Sequence, residues 1–226
     1  MNVTEIAILR LAAGDIDSAF TNTAKRGLEI QNDWHIANFP HLPSTLAERA
    51  SHCLQQIEDP GKIMITADWE SVEAHWKWIR SEENTAVMTS LGSYFTISPD
   101  DMVLFHLDSS IFRNIPVDSS GESAALLDSP AISVERLFID ADKKDEFLDR
   151  LSVVRNLLEK AAAPRMVRGG WRVDVESEDR LEYVLVSGWE SVEKHTKFSQ
   201  SPEAARIHEI KQLAREADSK HYKRFL

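Results

Sequence analysis

The chain has one cysteine, Cys53, in 226 residues, so no intrachain disulfide can form and a reducing, cytoplasmic setting is expected. Its longest apolar runs, such as "IAILRLAA" and "YVLVSGW", are strand length and fall well short of the roughly 20 residues that cross a bilayer. The opening "MNVTEIAILRL" lacks the basic segment and cleavage site of a signal peptide. A glycine-rich phosphate loop, a G-x-S-x-G elbow and an HxxxH zinc motif are all missing, and no metal site is expected. Positive charge is scarce as well: 26 Lys and Arg stand against 37 Asp and Glu, a formal net charge of −11. Such a field repels a phosphate backbone, so neither nucleic acid nor membrane is an expected partner.

What the chain does contain is a repeated sentence. "WESVEAHWKW" begins at Trp69 and "WESVEKHTKF" at Trp189, an offset of 120. Without a gap, that offset pairs Ile63–Ala67 with Tyr183–Ser187 and Ala50–Ile57 with Gly170–Ser177, each read as strand. Each half therefore reads as a β-hairpin running into a helix. "EIAILRL" and "ISVERLFI" supply a first strand and "MVLFHL" and "YKRFL" a closing one. The expected class is α+β, with two tandem ferredoxin-like (β-α-β-β-α-β) halves. The halves span 1–107 and 131–226, with a Ser/Asp/Pro-rich linker at 108–130. An inserted loop at 31–44, "QNDWHIANFPHLPS", has no counterpart in the second half and is read as a lid or as a surface excursion packing on its own aromatics.

The repeated sentence has a structural explanation. Ser71 and Ser191 suit helix N-caps, and Glu70, Glu73, Glu190 and Glu193 suit the positive end of the helix dipole. Trp69 and Trp189 would anchor each helix to its sheet. His75 and His195 then fall at the edge of the buried face, and packing is the expected role for both.

With these halves and their "WESVE" helix starts, the chain resembles the dimeric α/β-barrel superfamily, in the tandem two-domain form found in fungi. That superfamily includes antibiotic-biosynthesis-type monooxygenases, stress-responsive barrel proteins and polyketide cyclases. The resemblance implies that the two ferredoxin-like halves supply both sheets of an intramolecular α/β barrel, with a small-molecule pocket between each sheet and its helices and a reaction needing no cofactor. The acid/base Tyr and His of the cyclase-like members fall on Trp78 and Asn84 in the first half and on Phe198 and Ala204 in the second, so neither half keeps that pair. Pocket positions on the third, first and closing strands fall at Ile63 and Tyr183, at Glu5 and at His106. Haem-degrading members need an Asn on the first strand, where this chain has Glu5 and Ala7, and haem is not expected.

The first half therefore holds more of the polar chemistry. His106 is expected as a catalytic base, Glu5 as its orienter and Asn84 as a hydrogen-bond donor; a buried structural Glu–His pair is the alternative. Trp78, Trp34, His35, His41, Tyr183 and Phe198 are the candidate substrate-binding residues. The expected function is a cofactor-independent enzyme that oxygenates, cyclises or decarboxylates an aromatic or polyketide-like intermediate. The alternative is a non-catalytic tandem barrel that binds a hydrophobic ligand or a protein partner. The expected assembly is a monomeric pseudo-dimer, with a further homodimer left open.

Overall fold

A computed structural model of the chain describes residues 2–96, 98, 101–113, 126–175, 177 and 179–226. It divides into two compact units, 1–114 with 224–226 and 115–223. No helix among the described residues is long and apolar enough to cross a membrane.

The first unit is built from β1 (Val3–Arg10), α1 (Ser18–Asn38), β2 (His52–Gln56), β3 (Lys62–Trp69), α2 (Val72–Ile79), α3 (Glu82–Leu91) and β4 (Met102–Leu107). Its strands run in the antiparallel order β4-β1-β3-β2. Strand side chains alternate between faces, so Glu5, Ala7 and Leu9 share one side of β1. That side looks toward the helices, where Phe20, Trp34, Trp78 and Leu91 join Leu9 and Trp69 in the core. The backbone of the C-terminal Phe225 and Leu226 bonds to Cys53 on β2.

Helix α1 starts at Asp17, whose carboxylate accepts from the Phe20 amide at 2.7 Å. Its buried positions, Phe20, Ala24, Gly27, Leu28, Gln31, Trp34 and His35, keep the three-to-four-residue helical spacing. The segment read as a loop at 31–44 is thus helix as far as Asn38. Gln31, Trp34 and His35 continue the buried stripe, and the Asn38 side-chain amide closes it on the Trp34 carbonyl at 2.9 Å. Only 39–44 leave the helix.

The second unit repeats the order with β5 (Ala131–Asp140), α4 (Lys144–Ala162), β6 (Val167–Trp171), β7 (Arg180–Trp189), α5 (Val192–Ser199), α6 (Ala205–Leu213) and β8 (Ala214–Arg224). Its strands run β8-β5-β7-β6. The 120-residue offset holds for β3, β7 and the helices that follow them. It fails for the second strands. Gln55 faces Ile63, but Trp171 faces Tyr183, so β6 lies four residues earlier than an ungapped repeat puts it. A longer β6–β7 connection takes up those four residues.

In both units the second helix is broken. Ser81 starts α3 by accepting from the Asn84 amide at 3.0 Å, and in the second unit Pro202 falls in the break. The caps expected at Ser71 and Ser191 accept from Ala74 and Lys194 amides at 3.1 and 3.2 Å. Of the stretch read as a linker, 114–125 lie outside the described residues. Its ends are not loose surface chain. Ile111 and Phe112 are buried, the Ile111 amide donates to the Thr4 hydroxyl, and Leu126 and Leu127 are buried too.

Candidate active site

In the first unit a cavity of about 320 Å³ lies between the sheet and its helices. Such a volume falls in the usual range for small-molecule sites. Ala7, Leu9, Phe20, Leu28, Ile63, Trp78, Val87 and Leu91 form apolar walls. Polar groups are few: Glu5, Gln31, Cys53, His75 and Asn84, with no lysine or arginine among the lining residues described. Trp76, Met88 and Met102 line the cavity and are also exposed, so they mark its mouth.

Glu5 is 5% exposed and ends one side of this space. Its Oε2 accepts from the Trp69 indole N–H at 2.8 Å and lies 3.2 Å from His75 Nε2. His75 Nδ1 in turn lies 2.7 Å from His106 Nε2. Four elements converge here: β1, the end of β3, the first turn of α2, and β4, where His106 faces Glu5 in register. The WESVE sentence explains half of the arrangement. Trp69 ends its strand, Ser71 starts the helix, and the turn between them stacks the His75 ring on Trp69, centroids 4.7 Å apart at 20°.

Burial pushes the Glu5 carboxyl from its ordinary 4.5 up to about 7, with the Trp69 hydrogen bond and the His106 charge pulling the other way. The Cys53 thiol beside it is pushed up to about 12 by burial and by Glu5, so it stays neutral. A carboxyl that changes charge near neutral pH at the edge of an apolar cavity can accept or deliver a proton there.

The expected site residues are distributed unevenly around this centre. Glu5, Asn84 and Trp78 line the cavity. His106 is fully buried behind His75 and does not line it, so Glu5, not His106, stands next to the open space. Asn84 spends its amide N–H on the Ile79 carbonyl at 3.0 Å, holding α3 against the end of α2. Trp34 backs Trp78 at 5.3 Å without reaching the cavity. His35 is buried against Trp69 and Phe39; burial first, then the charges of Arg49 and His41, lowers its pKa to about 4. His41 is exposed beside Glu70 at 3.4 Å. In the second unit Tyr183 is buried edge-on to Phe147 and Trp171, and Phe198 packs on Trp189 at 5.6 Å.

His75 is the residue that sequence reasoning assigned to packing. It packs on Trp69, and it also bridges Glu5 and His106 while lining the cavity. The missing signal was the cross-strand register, which puts a carboxylate and a second imidazole within reach of one helix turn.

The second unit repeats this arrangement with one omission. His195 stacks on Trp189 at 4.6 Å, and its Nδ1 lies 2.7 Å from His221 Nε2. Val3 faces Trp69 and Ala131 faces Trp189, so the place of Glu5 is taken by Ser133. The Trp189 indole donates to Ser187 Oγ instead, at 2.8 Å. Among the described residues no group of three His, Cys, Asp or Glu is placed to hold a metal ion.

No known family model matches the chain, and no curated protein matches it. Solved structures do. An anthrone oxidase-like protein superposes with a TM-score of 0.63 at 13% identity, over 100% of this chain and 92% of its own. A provisionally assigned monooxygenase of Lactobacillus acidophilus gives 0.56 at 11% identity, over 99% and 93%. A provisionally assigned chlorite dismutase gives 0.53 at 12%, over 100% and 95%. Identities this low speak to fold and not to activity. The chain shares its fold with these structures, and it has two ferredoxin-like α+β units in a single polypeptide.

Proposed function

We propose that the first unit is a cofactor-independent enzyme in which Glu5 removes a proton from a neutral, flat aromatic or polyketide-like substrate. The observation that carries this reading is the Glu5 carboxyl, raised to about 7, on the wall of an otherwise apolar cavity. Its Oε2 is held by Trp69 and His75, while Oε1 takes no hydrogen bond from the described residues and is free to meet a substrate proton. With no lysine or arginine on the described walls, the cavity favours uncharged molecules over carboxylates and phosphates. Trp78 supplies a flat wall for an aromatic ring.

A substrate whose acidic C–H or O–H yields an enolate or phenolate suits this base. The resulting anion can react with oxygen, close a ring or lose carbon dioxide. Anthrone is a fitting probe, because one of the structural neighbours is described as anthrone oxidase-like. Its oxidation balances as anthrone plus dioxygen giving anthraquinone plus water, and proton removal from the ring methylene is the first step.

The test has two arms. Small molecules that co-purify with the protein are identified by mass spectrometry. Turnover of those compounds and of anthrone is then followed by oxygen uptake and product absorbance in the wild type and in Glu5→Gln. Turnover should fall by about 10²–10⁴-fold in the variant, with ligand affinity retained. Equal turnover in both proteins removes Glu5 from the mechanism. Tight binding without turnover of any bound compound supports the second reading, a ligand-binding barrel, which the exposed apolar mouth at Trp76, Met88 and Met102 favours.

A further inference from the structure

The contacts behind Glu5 have a direction. The Trp69 indole can only donate, so Glu5 Oε2 is an acceptor toward it. Only one hydrogen fits between the His75 and His106 rings, whose nitrogens are 2.7 Å apart. With neutral rings two patterns remain. In one, His106 Nε2–H donates to His75 Nδ1, and His75 Nε2–H donates to a Glu5 carboxylate. In the other, a protonated Glu5 donates to His75 Nε2, and His75 Nδ1–H donates to His106. The first favours the Glu5 anion and the second its neutral form. The far end of the relay therefore helps set the charge of the near end.

The second unit separates this role from simple packing. It keeps the stacked tryptophan and the histidine pair, His195 and His221, at the same spacing but has Ser133 where Glu5 stands. The histidine pair alone is thus a device that ties helix to closing strand in both units. In the first unit the pair lies against Glu5, 3.2 Å from His75, whereas in the second unit the carboxylate that acts on His195, Glu135, is bound by Lys211 at 2.9 Å. We propose that His106, acting through His75, is a positioning residue that holds Glu5 in its anionic form. The proposal rests on Glu5 being the base of the first-unit site.

The titratable groups around Glu5 are Cys53 from β2, His75 from α2 and His106 from β4; α1 and α3 contribute the neutral amides of Gln31 and Asn84. With the thiol neutral, the two imidazoles are what a pH titration of Glu5 reads. His106→Leu removes the donor to His75 Nδ1 and frees His75 to take the pattern that accepts from protonated Glu5.

The experiment is a carbon-13 NMR titration of the Glu5 carboxyl, assigned by its loss in Glu5→Gln. In His106→Leu the midpoint should rise by about one pH unit, a tenfold gain in proton affinity. His106→Gln, whose amide can donate in place of the ring, should restore the wild-type midpoint. His221→Leu makes the same deletion in the second unit and should leave both the Glu5 midpoint and turnover unchanged. An unmoved midpoint in His106→Leu, or an equal movement in His221→Leu, overturns the proposal. Nitrogen-15 spectra of the wild-type rings supply a check that needs no variant. His75 should carry its hydrogen on Nε2 above the Glu5 midpoint and on Nδ1 below it, and a tautomer that ignores pH overturns the relay. Should Glu5→Gln turn over normally while the midpoint still follows His106, the base assignment fails and the relay stands.

Discussion

Glu5→Gln keeps the shape of the side chain and an acceptor for the Trp69 indole, and it removes a proton that folding makes harder to lose. The folded carboxyl titrates at about 7 and an ordinary one at 4.5, so the fold prefers the protonated form. The stability this preference contributes is fully present below pH 4.5 and is lost as pH rises through about 7. At 1.36 kcal/mol for each pH unit separating the two values, the full effect is about 3 kcal/mol, of which roughly 2–3 kcal/mol falls between pH 5 and pH 8. Urea unfolding of the wild type and of Glu5→Gln at those two pH values isolates it, because every other titrating group cancels in the difference. The wild type should lose about that much more than the variant on going to pH 8, in the transition that the substitution moves. Parallel pH dependence in the two proteins would refute the burial argument and with it the case for a base poised near neutrality.

Three further outcomes follow from other parts of the structure. Ala7→Phe points a ring into the cavity of about 320 Å³ and should abolish binding of a neutral aromatic ligand while leaving the fold intact; unchanged affinity by calorimetry would show that ligands bind elsewhere. Gly169→Ala places a methyl group into the Tyr183 ring and should cost about 1–3 kcal/mol in chemical denaturation, as expected if Tyr183 is packed core and not a ligand-facing residue. Ser71→Ala and Ser191→Ala should each cost about 1 kcal/mol, because both serines cap matching helices; a large cost at only one would mean the two caps are not equivalent.

Much of the architecture was legible in the chain because it rests on local signals. The 120-residue echo of "WESVE", the serine caps, the strand alternation and the closing "MVLFHL" each depend on residues a few positions apart, and each took the expected structure. The misreadings came where a local signal stopped and a long-range one took over. The segment 31–38 looked irregular, yet Trp34 and His35 bury against Trp78 and Trp69, and that burial carries the helix onward. The four-residue slip of β6 was invisible because register is set by what a strand pairs with.

The candidate site divides along the same line. By itself the sequence determined that the first unit holds a carboxyl on its first strand, a histidine on its closing strand and a histidine six residues after a tryptophan. Only the tertiary structure decided that these three meet, that Glu5 and not His106 borders the cavity, and that Ser133 takes the place of Glu5 in the second unit. The reason is physical. Side-chain identity and helix or strand periodicity are encoded over a few residues, whereas the contacts between positions 5, 75 and 106 exist only after strand pairing and helix packing have brought distant segments together. Burial, which moves the Glu5 carboxyl toward neutrality, is a property of that assembled core alone.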